Sequence, residues 1–440
     1  MRKDRPMESM QTLISSAMLP PVLFGIGGGA TPLRSPSRLR RIALIGNALP
    51  RLCGLATYTS HVFDALRKAV PEIAIDHYAM IDPGGRYAFP PSVCATIAQE
   101  EPAAYRAAAA RIARSGAEII WVQHEFGIYG GAAGEYLFDL IDAVDLPVAV
   151  TLHTVLDRPN EDQRRVMKRL SDCASLLIVM AERARDILID TYGVQARRIA
   201  VIPHGAPDRP QIAPAAMRHL LGQEDRKTIL TFGLLSPGKG LETMIEAMPA
   251  ILERCPEALY RIVGATHPHL VAHQGEAYRE SLLALAERLG VAPHLRWEPR
   301  FLEEDALLDR IAAADVYVTP YGNPAQITSG TLAYAFALGK PIVSTPYVHA
   351  AELLGSGLGR LVDFGNIEAT AEAVGSWLAD DGEREAFAAR AWHAARPTIW
   401  PRMSARSVAR LEDLLPSSAM RRPERRAGSY IVHERIALHP

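Results

Sequence analysis

Short apolar runs recur along most of this chain, each followed by a longer amphipathic stretch, and that alternation limits its architecture more than any other feature. A strand buried on both faces reads as a near-continuous apolar run, whereas a helix packed on a sheet buries one stripe only. The pattern places strands at 41–46, 73–80, 118–124, 147–153, 175–180 and 198–203, with helices at 56–67, 103–115, 162–173 and 182–192 between them. A second series follows, with strands at 228–233, 259–264, 294–298, 315–320, 341–345 and 359–363. Its helices fall at 241–253, 278–289, 304–313, 329–338 and 368–379. Such alternation predicts an α/β protein with parallel sheets covered on both faces. At 440 residues the chain has room for two domains, each with its own core.

Gly205-Ala206-Pro207-Asp208-Arg209-Pro210 is polar and proline-rich and reads as the hinge between the two series. The expected organisation is a flexible extension at 1–39, a first doubly wound domain at 40–205 and a second at 206–390. A terminal helix is expected within 391–415 and a flexible tail at 416–440. Residues 12–32 are apolar but broken by Pro20, Pro21 and four glycines, a poor membrane span and a poor signal-peptide core. The glycine-rich stretch 24–30 lacks the surrounding βαβ unit that a nucleotide loop needs.

A net charge of −1 creates no global field for nucleic acid, and no stripe of basic and aromatic residues offers a local one. The four cysteines, Cys53, Cys94, Cys173 and Cys255, lie far apart with no metal-type spacing, as in a reducing, cytoplasmic compartment. No D-x-D carboxylate pair stands ready to hold a metal–diphosphate complex. Neither a metal nor a cofactor is therefore expected.

In open parallel sheets, ligands bind beyond the carboxyl ends of the strands. Two histidines stand at such ends, His124 and His153, with Glu125 beside the first. Gly54 belongs to the first strand–helix turn, where absence of a side chain lets a ligand approach the backbone. The loop 322–328 leads into a helix beginning near Ser329-Gly330-Thr331, whose unpaired amides make an anion site. A third loop, Gly233-Leu234-Leu235-Ser236-Pro237-Gly238-Lys239, has the G-x-x-x-x-G-K spacing of a P-loop. Gly240 then replaces the hydroxyl residue that would ligate Mg²⁺.

The stretch 314–354, with Ala335-Phe336-Ala337-Leu338-Gly339-Lys340-Pro341-Ile342-Val343 at its centre, resembles the donor-binding segment of the retaining glycosyltransferases of family four. The resemblance covers roughly residues 40–390 and implies the GT-B arrangement, two facing Rossmann-like domains with a cleft between them. It implies that the last helix crosses back onto the first domain. It also implies that Lys239 and Gly238 belong to the loop that neutralises the donor's diphosphate, with Leu234 where the family has an arginine. Arg300 is a candidate for the missing charge. The two family glutamates fall on Gln326 and Tyr334. Gln326 would touch the sugar and Tyr334 would stand at the ribose position. His153 would meet the sugar and diphosphate, and Gly54 would press on the donor or acceptor. His204, where an asparagine is common in the family, reads as structural; His267, His349 and Glu352 are further cleft candidates.

The expected activity is metal-independent transfer of a sugar, with retention, from a nucleotide-diphosphate-sugar to a carbohydrate or glycolipid acceptor. His153, Gln326 and His124 would be catalytic; Lys239, Gly54, Gly238, Ser329, Gly330, Thr331 and Tyr334 would bind the donor. Contact with the inner face of a membrane is compatible with such an acceptor. The open alternatives are a P-loop nucleotide hydrolase, a phosphorylase or epimerase acting on sugar phosphates, and an inactive family member serving as a binding subunit.

Overall fold

The computed structural model describes residues 37–416. The expected terminal extension and tail lie largely outside them, as does the glycine-rich stretch 24–30. The first sheet has seven parallel strands: β1 (Arg41–Gly46), β2 (Ala74–Ile81), β3 (Val93–Ala98), β4 (Ile119–His124), β5 (Val148–Leu152), β6 (Leu176–Val179) and β7 (Ile199–Val201). Their spatial order is β3-β2-β1-β4-β5-β6-β7. The second sheet has six: β8 (Thr228–Phe232), β9 (Leu259–Val263), β10 (Leu295–Glu298), β11 (Val316–Thr319), β12 (Ile342–Ser344) and β13 (Arg360–Leu361). Their order, β10-β9-β8-β11-β12-β13, repeats the doubly wound plan of the first. The order reverses beside β1 in one sheet and beside β8 in the other, which opens a crevice at each strand-end edge.

Local chemistry accounts for the elements. β4, β5, β6 and β8 are buried along their whole length, which is why they read as apolar runs. The helix Glu161–Cys173 starts with a reciprocal cap between Asn160 and Gln163, and Glu182–Tyr192 stops at Gly193 in the left-handed region. Among the described residues no helix is long and apolar enough to cross a membrane.

Two elements depart from expectation. β3 pairs on the outer edge of β2 with a register shift, and most of its residues are half-exposed, so its sequence lacks the buried-strand signature. The helix Asp381–Ala395, capped by the Asp380 carboxylate, buries few side chains and carries charge on several faces. The expected boundary at 391 therefore falls inside a helix. After a break at Arg396–Thr398, the helix Trp400–Glu412 lies along Gly54–Ala69, and the Glu412 carboxylate accepts from the amide of Arg38 at 2.8 Å. The break is tied to the hinge. The Ala206 amide donates to the Thr398 carbonyl at 3.0 Å, and the Trp400 amide to that of Ala206 at 2.8 Å. A Cβ on Gly205 would sit 1.9 Å from the Trp400 ring, so glycine is required there.

Candidate active site

The carboxyl ends of both sheets face one cleft, with a volume near 320 Å³. Gly54, Thr57 and Tyr58, the first turn of Gly54–Ala69, form one wall. Leu234, Lys239, Gln326 and the helix start Ser329-Gly330-Thr331 form the other, and His204 enters from the hinge side. Gly54 borders open space, since a Cβ there would meet no atom within 4 Å. Phe232, Leu234, Phe301 and Leu307 make part of the lining apolar, and Phe301 remains 37% exposed.

The helix Gly330–Ala337 is capped by Ser329, whose hydroxyl accepts from the Leu332 amide at 3.3 Å. The Ser329 amide in turn donates to Nδ1 of His349 at 2.8 Å, which orients the cap. Thr331 Oγ1 lies 3.1 Å from the Ser329 hydroxyl and 2.8 Å from that of Tyr321. Among the described residues, no acceptor meets the amides of Gly330 and Thr331. Two free donors at the positive end of a helix make a site for a phosphate group.

Lys239 completes that site. Its ammonium stands 4.0 Å from the centroid of the Tyr321 ring, and among the described residues it has no ion-pair partner. Burial alone would raise the Tyr321 pKa, but Lys239 and the hydroxyl of Thr331 outweigh it and bring the phenol below its usual range. Gly238 does not line the cleft; its carbonyl accepts from the Gly322 amide at 3.1 Å and ties the lysine loop to the loop before Ser329. The P-loop likeness ends at Gly240, which has φ +63° and whose Cβ would lie 2.0 Å from the Pro320 carbonyl oxygen. A serine or threonine does not fit there, so the chain cannot offer the Mg²⁺-binding hydroxyl of a P-loop.

Comparison with known proteins bears on the family and the fold. Residues 214–393 match the model of the glycosyl transferases group 1, and residues 58–208 that of glycosyltransferase family 4. A D-inositol 3-phosphate glycosyltransferase of Xylanimonas cellulosilytica is 30% identical over 304 residues, 64% of this chain and 69% of that protein. The chain belongs to the group 1 glycosyltransferases. A GDP-mannose-dependent alpha-(1-6)-phosphatidylinositol monomannoside mannosyltransferase of Mycolicibacterium smegmatis is 29% identical over 242 residues. That match spans 52% of this chain and 60% of the mannosyltransferase. The solved structure of Anabaena Alr3699/HepE in complex with UDP superposes with a TM-score of 0.67 at 17% identity, covering 85% of this chain and all of that one. The fold is thus that of the GT-B glycosyltransferases.

The two positions where the sequence resemblance places glutamates hold Gln326 and Tyr334 in this glycosyltransferase. Gln326 lines the cleft, and its Nε2 donates to the Thr328 carbonyl at 2.6 Å, leaving Oε1 as its available acceptor. Tyr334 also lines the cleft, but its hydroxyl lies 2.6 Å from Nδ1 of His61, across the domain boundary. Burial raises the Tyr334 pKa well above the usual phenol range, so the hydroxyl keeps its proton and donates. His61 Nε2 then faces the Glu304 carboxylate at 3.6 Å. Nothing in the sequence singled out His61. It sits mid-helix like any half-buried polar residue, and only the second domain gives it partners.

The strand-end histidines divide. His153 is half-buried and does not itself line the cleft; it packs edge-on behind Tyr58, which does, ring centroids 4.7 Å apart, and its Nε2 lies 3.3 Å from Gln123 Oε1. His124 is 0% exposed, packed against Phe126 and Tyr129, and burial pushes its pKa down to about 3. The catalytic role expected for His124 is not met, because its side chain turns into the helix layer. Glu125 accepts from the Phe126 amide at 3.0 Å and the Thr154 hydroxyl at 2.5 Å, a local cap. Glu352 accepts from the amides of Glu182 and Arg183 at 2.9 and 2.7 Å, capping a helix of the first domain. His267 lines the cleft; Arg300 and His349 do not.

Proposed function

We propose that this glycosyltransferase moves a sugar from a nucleoside-diphosphate sugar to a hydroxyl of a carbohydrate or glycolipid acceptor, with retention and without a metal. The observation that carries the reading is the convergence of Lys239 and the open amides of Gly330 and Thr331 on a cleft whose facing wall comes from the other domain. The diphosphate would rest on those three groups, with the nucleobase against the apolar wall of Phe232, Leu234, Phe301 and Leu307. The sugar would lie near Gln326, and the acceptor would enter past Gly54 and Tyr58. The relatives' names, which include a GDP-mannose-dependent enzyme and inositol phosphate glycosyltransferases, support a nucleotide sugar and a hydroxyl acceptor of this kind.

No carboxylate lines the cavity among the described residues. No carboxylate is thus placed to form a glycosyl-enzyme or to act as the base. The acceptor oxygen would attack the anomeric carbon from the side that the diphosphate leaves. The bond from that carbon to the diphosphate oxygen breaks, the bond to the acceptor oxygen forms, and the acceptor's proton passes to the departing diphosphate. Lys239 and the helix amides would hold the charge that develops on the leaving group.

The test is a thermal-shift series of the whole chain with UDP-, GDP-, ADP- and TDP-sugars in EDTA, followed by a transfer assay. Stabilisation by one nucleotide class in EDTA is expected. A response that needs Mg²⁺ removes the metal-free mechanism, and binding without any transfer would favour a binding subunit, the reading suggested by the lost glutamates. Gln326→Glu sharpens the picture of the donor loop. It would set a carboxylate against the Thr328 carbonyl, so kcat/KM is expected to fall by about 1–3 kcal/mol, not to rise toward a family norm. Steady-state kinetics check it; an unchanged or higher kcat/KM would mean that the loop does not depend on that bond.

A further inference from the structure

Lys239 is the one lysine or arginine lining the cleft among the described residues, whereas the diphosphate of a nucleotide sugar carries two negative charges. Leu234, in the same lining, adds none. His204 lines the same cavity, 8% exposed, at the point where the chain passes into the hinge. Its Nδ1 lies 2.7 Å from the Gly205 carbonyl, so Nδ1 holds a hydrogen and donates it. In the neutral ring, Nε2 is then a bare acceptor.

That bare nitrogen faces the anion-binding helix start. A Cβ on Gly330 would stand 3.2 Å from His204 Nε2, beside the open amides of Gly330 and Thr331. The rings of Tyr58, Trp400 and Tyr334 surround the imidazole, with centroids 4.8, 5.9 and 6.4 Å away, and hold it in this direction. A lone pair aimed at the place where phosphate oxygens must lie repels them. A proton on Nε2 turns the same contact into a charge-assisted hydrogen bond.

We propose that His204 binds the donor's diphosphate as an imidazolium, taking up a proton as the nucleotide sugar enters and supplying the second positive charge of the site. This role rests on the nucleotide-sugar reading above. The groups around the ring allow the change. His61 and Tyr58 face it from Gly54–Ala69, His153 from the end of β5, Tyr334 from Gly330–Ala337 and His349 from Val348–Leu354. Glu304 pairs with His61, at 3.6 Å from its Nε2. With no carboxylate at hand, burial and then His61 hold the His204 pKa down to about 4 against the opposing Gly205 hydrogen bond, so the empty site is neutral at pH 7. A dianion at hydrogen-bond distance shifts it the other way.

The experiment is isothermal titration of the whole chain with GDP-mannose and UDP-glucose, in buffers of different ionisation enthalpy. The diphosphate of these probes does not titrate near neutral pH, so proton uptake belongs to the protein. Uptake approaching one proton is expected. The dissociation constant should rise by up to about tenfold per pH unit between the empty-site pKa of about 4 and the bound-state pKa, and level off above the latter. His204→Asn should bind at least tenfold more weakly at pH 7, with no uptake and no pH slope; His204→Gln serves if the asparagine variant does not fold. Wild-type binding without uptake, or a variant that keeps both uptake and slope, overturns the role even where its melting temperature falls. Failure of the wild type to bind either probe, or any other nucleotide sugar, removes the functional reading and this role with it. That result is distinct from the first, in which binding persists.

Discussion

Lys239→Ala is expected to weaken binding of the nucleotide sugar by about 1.5–3 kcal/mol, the range for a hydrogen bond to a charged group, or roughly 10- to 150-fold in dissociation constant. The loss falls on one residue because little else in the cleft can replace it. The ammonium has no carboxylate partner among the described residues and rests on the face of Tyr321, 4.0 Å from the ring centroid. It is therefore already positioned and carries no internal ion pair that a ligand must break. The same isolation predicts a small effect on folding, within about 0.5 kcal/mol, as for surface substitutions away from caps and cores. Titration calorimetry with the nucleotide sugar that stabilises the wild type, beside a melting curve, separates the two effects. Unchanged affinity would refute the phosphate role of the loop. A large fall in melting temperature would mean that Lys239 holds the loop together. Lys239→Arg is a useful companion, since a planar fork keeps the charge but changes the contact geometry.

The doubly wound architecture was legible because parallel strands buried on both faces leave an apolar signature that no turn or loop imitates. β3 escaped because it is an edge strand with half-exposed residues. The helix Asp381–Ala395 escaped because its cap, Asp380, precedes a segment with little apolar face. The helix start and the lysine loop were equally legible: a serine cap, two small residues and a lysine are local features, and they line one cavity in three dimensions. What the letters could not carry was side-chain direction across domains. His124 and His153 both end strands, yet one turns into the helix layer and the other meets Tyr58. Tyr334 stands at the expected place, but its hydroxyl belongs to His61, a partner from the other domain. His204 looked like a hinge residue until the position of Gly330 gave its Nε2 a direction.

The segment leading to Ser329 also depends on a buried charge cluster below it, and Asp315→Ala is expected to destabilise the protein by about 3–5 kcal/mol, as removal of one member of a buried ion pair does. Asp315 is 2% exposed at the start of β11. Its Oδ2 accepts from Arg218 and from the Thr228 amide, both at 2.8 Å, and Oδ1 lies 3.6 Å from Arg384. Lys340, also buried, donates to the carbonyls of Ala312 and Ala314 at 2.7 and 2.9 Å. Burial pushes its pKa down to about 7, with Asp315 opposing that fall. Asp225 and Asp381, the other carboxylates paired with Arg218 and Arg384, are mostly exposed, so Asp315 is the anion that shares the interior with these cations. Removing it leaves them facing one another in a medium where charge is weakly screened. Arg218 comes from Pro214–Leu220, Arg384 from Asp381–Ala395, and Lys340 from the turn after Gly330–Ala337, so the cluster anchors the far end of that helix. Asp315→Asn separates charge from shape: it keeps the size of the side chain and one acceptor oxygen while removing the charge. Denaturant unfolding of both variants should show most of the loss in asparagine as well as alanine. If asparagine is as stable as the wild type, the cluster is held by hydrogen bonds alone, and the two arginines do not need an anion between them.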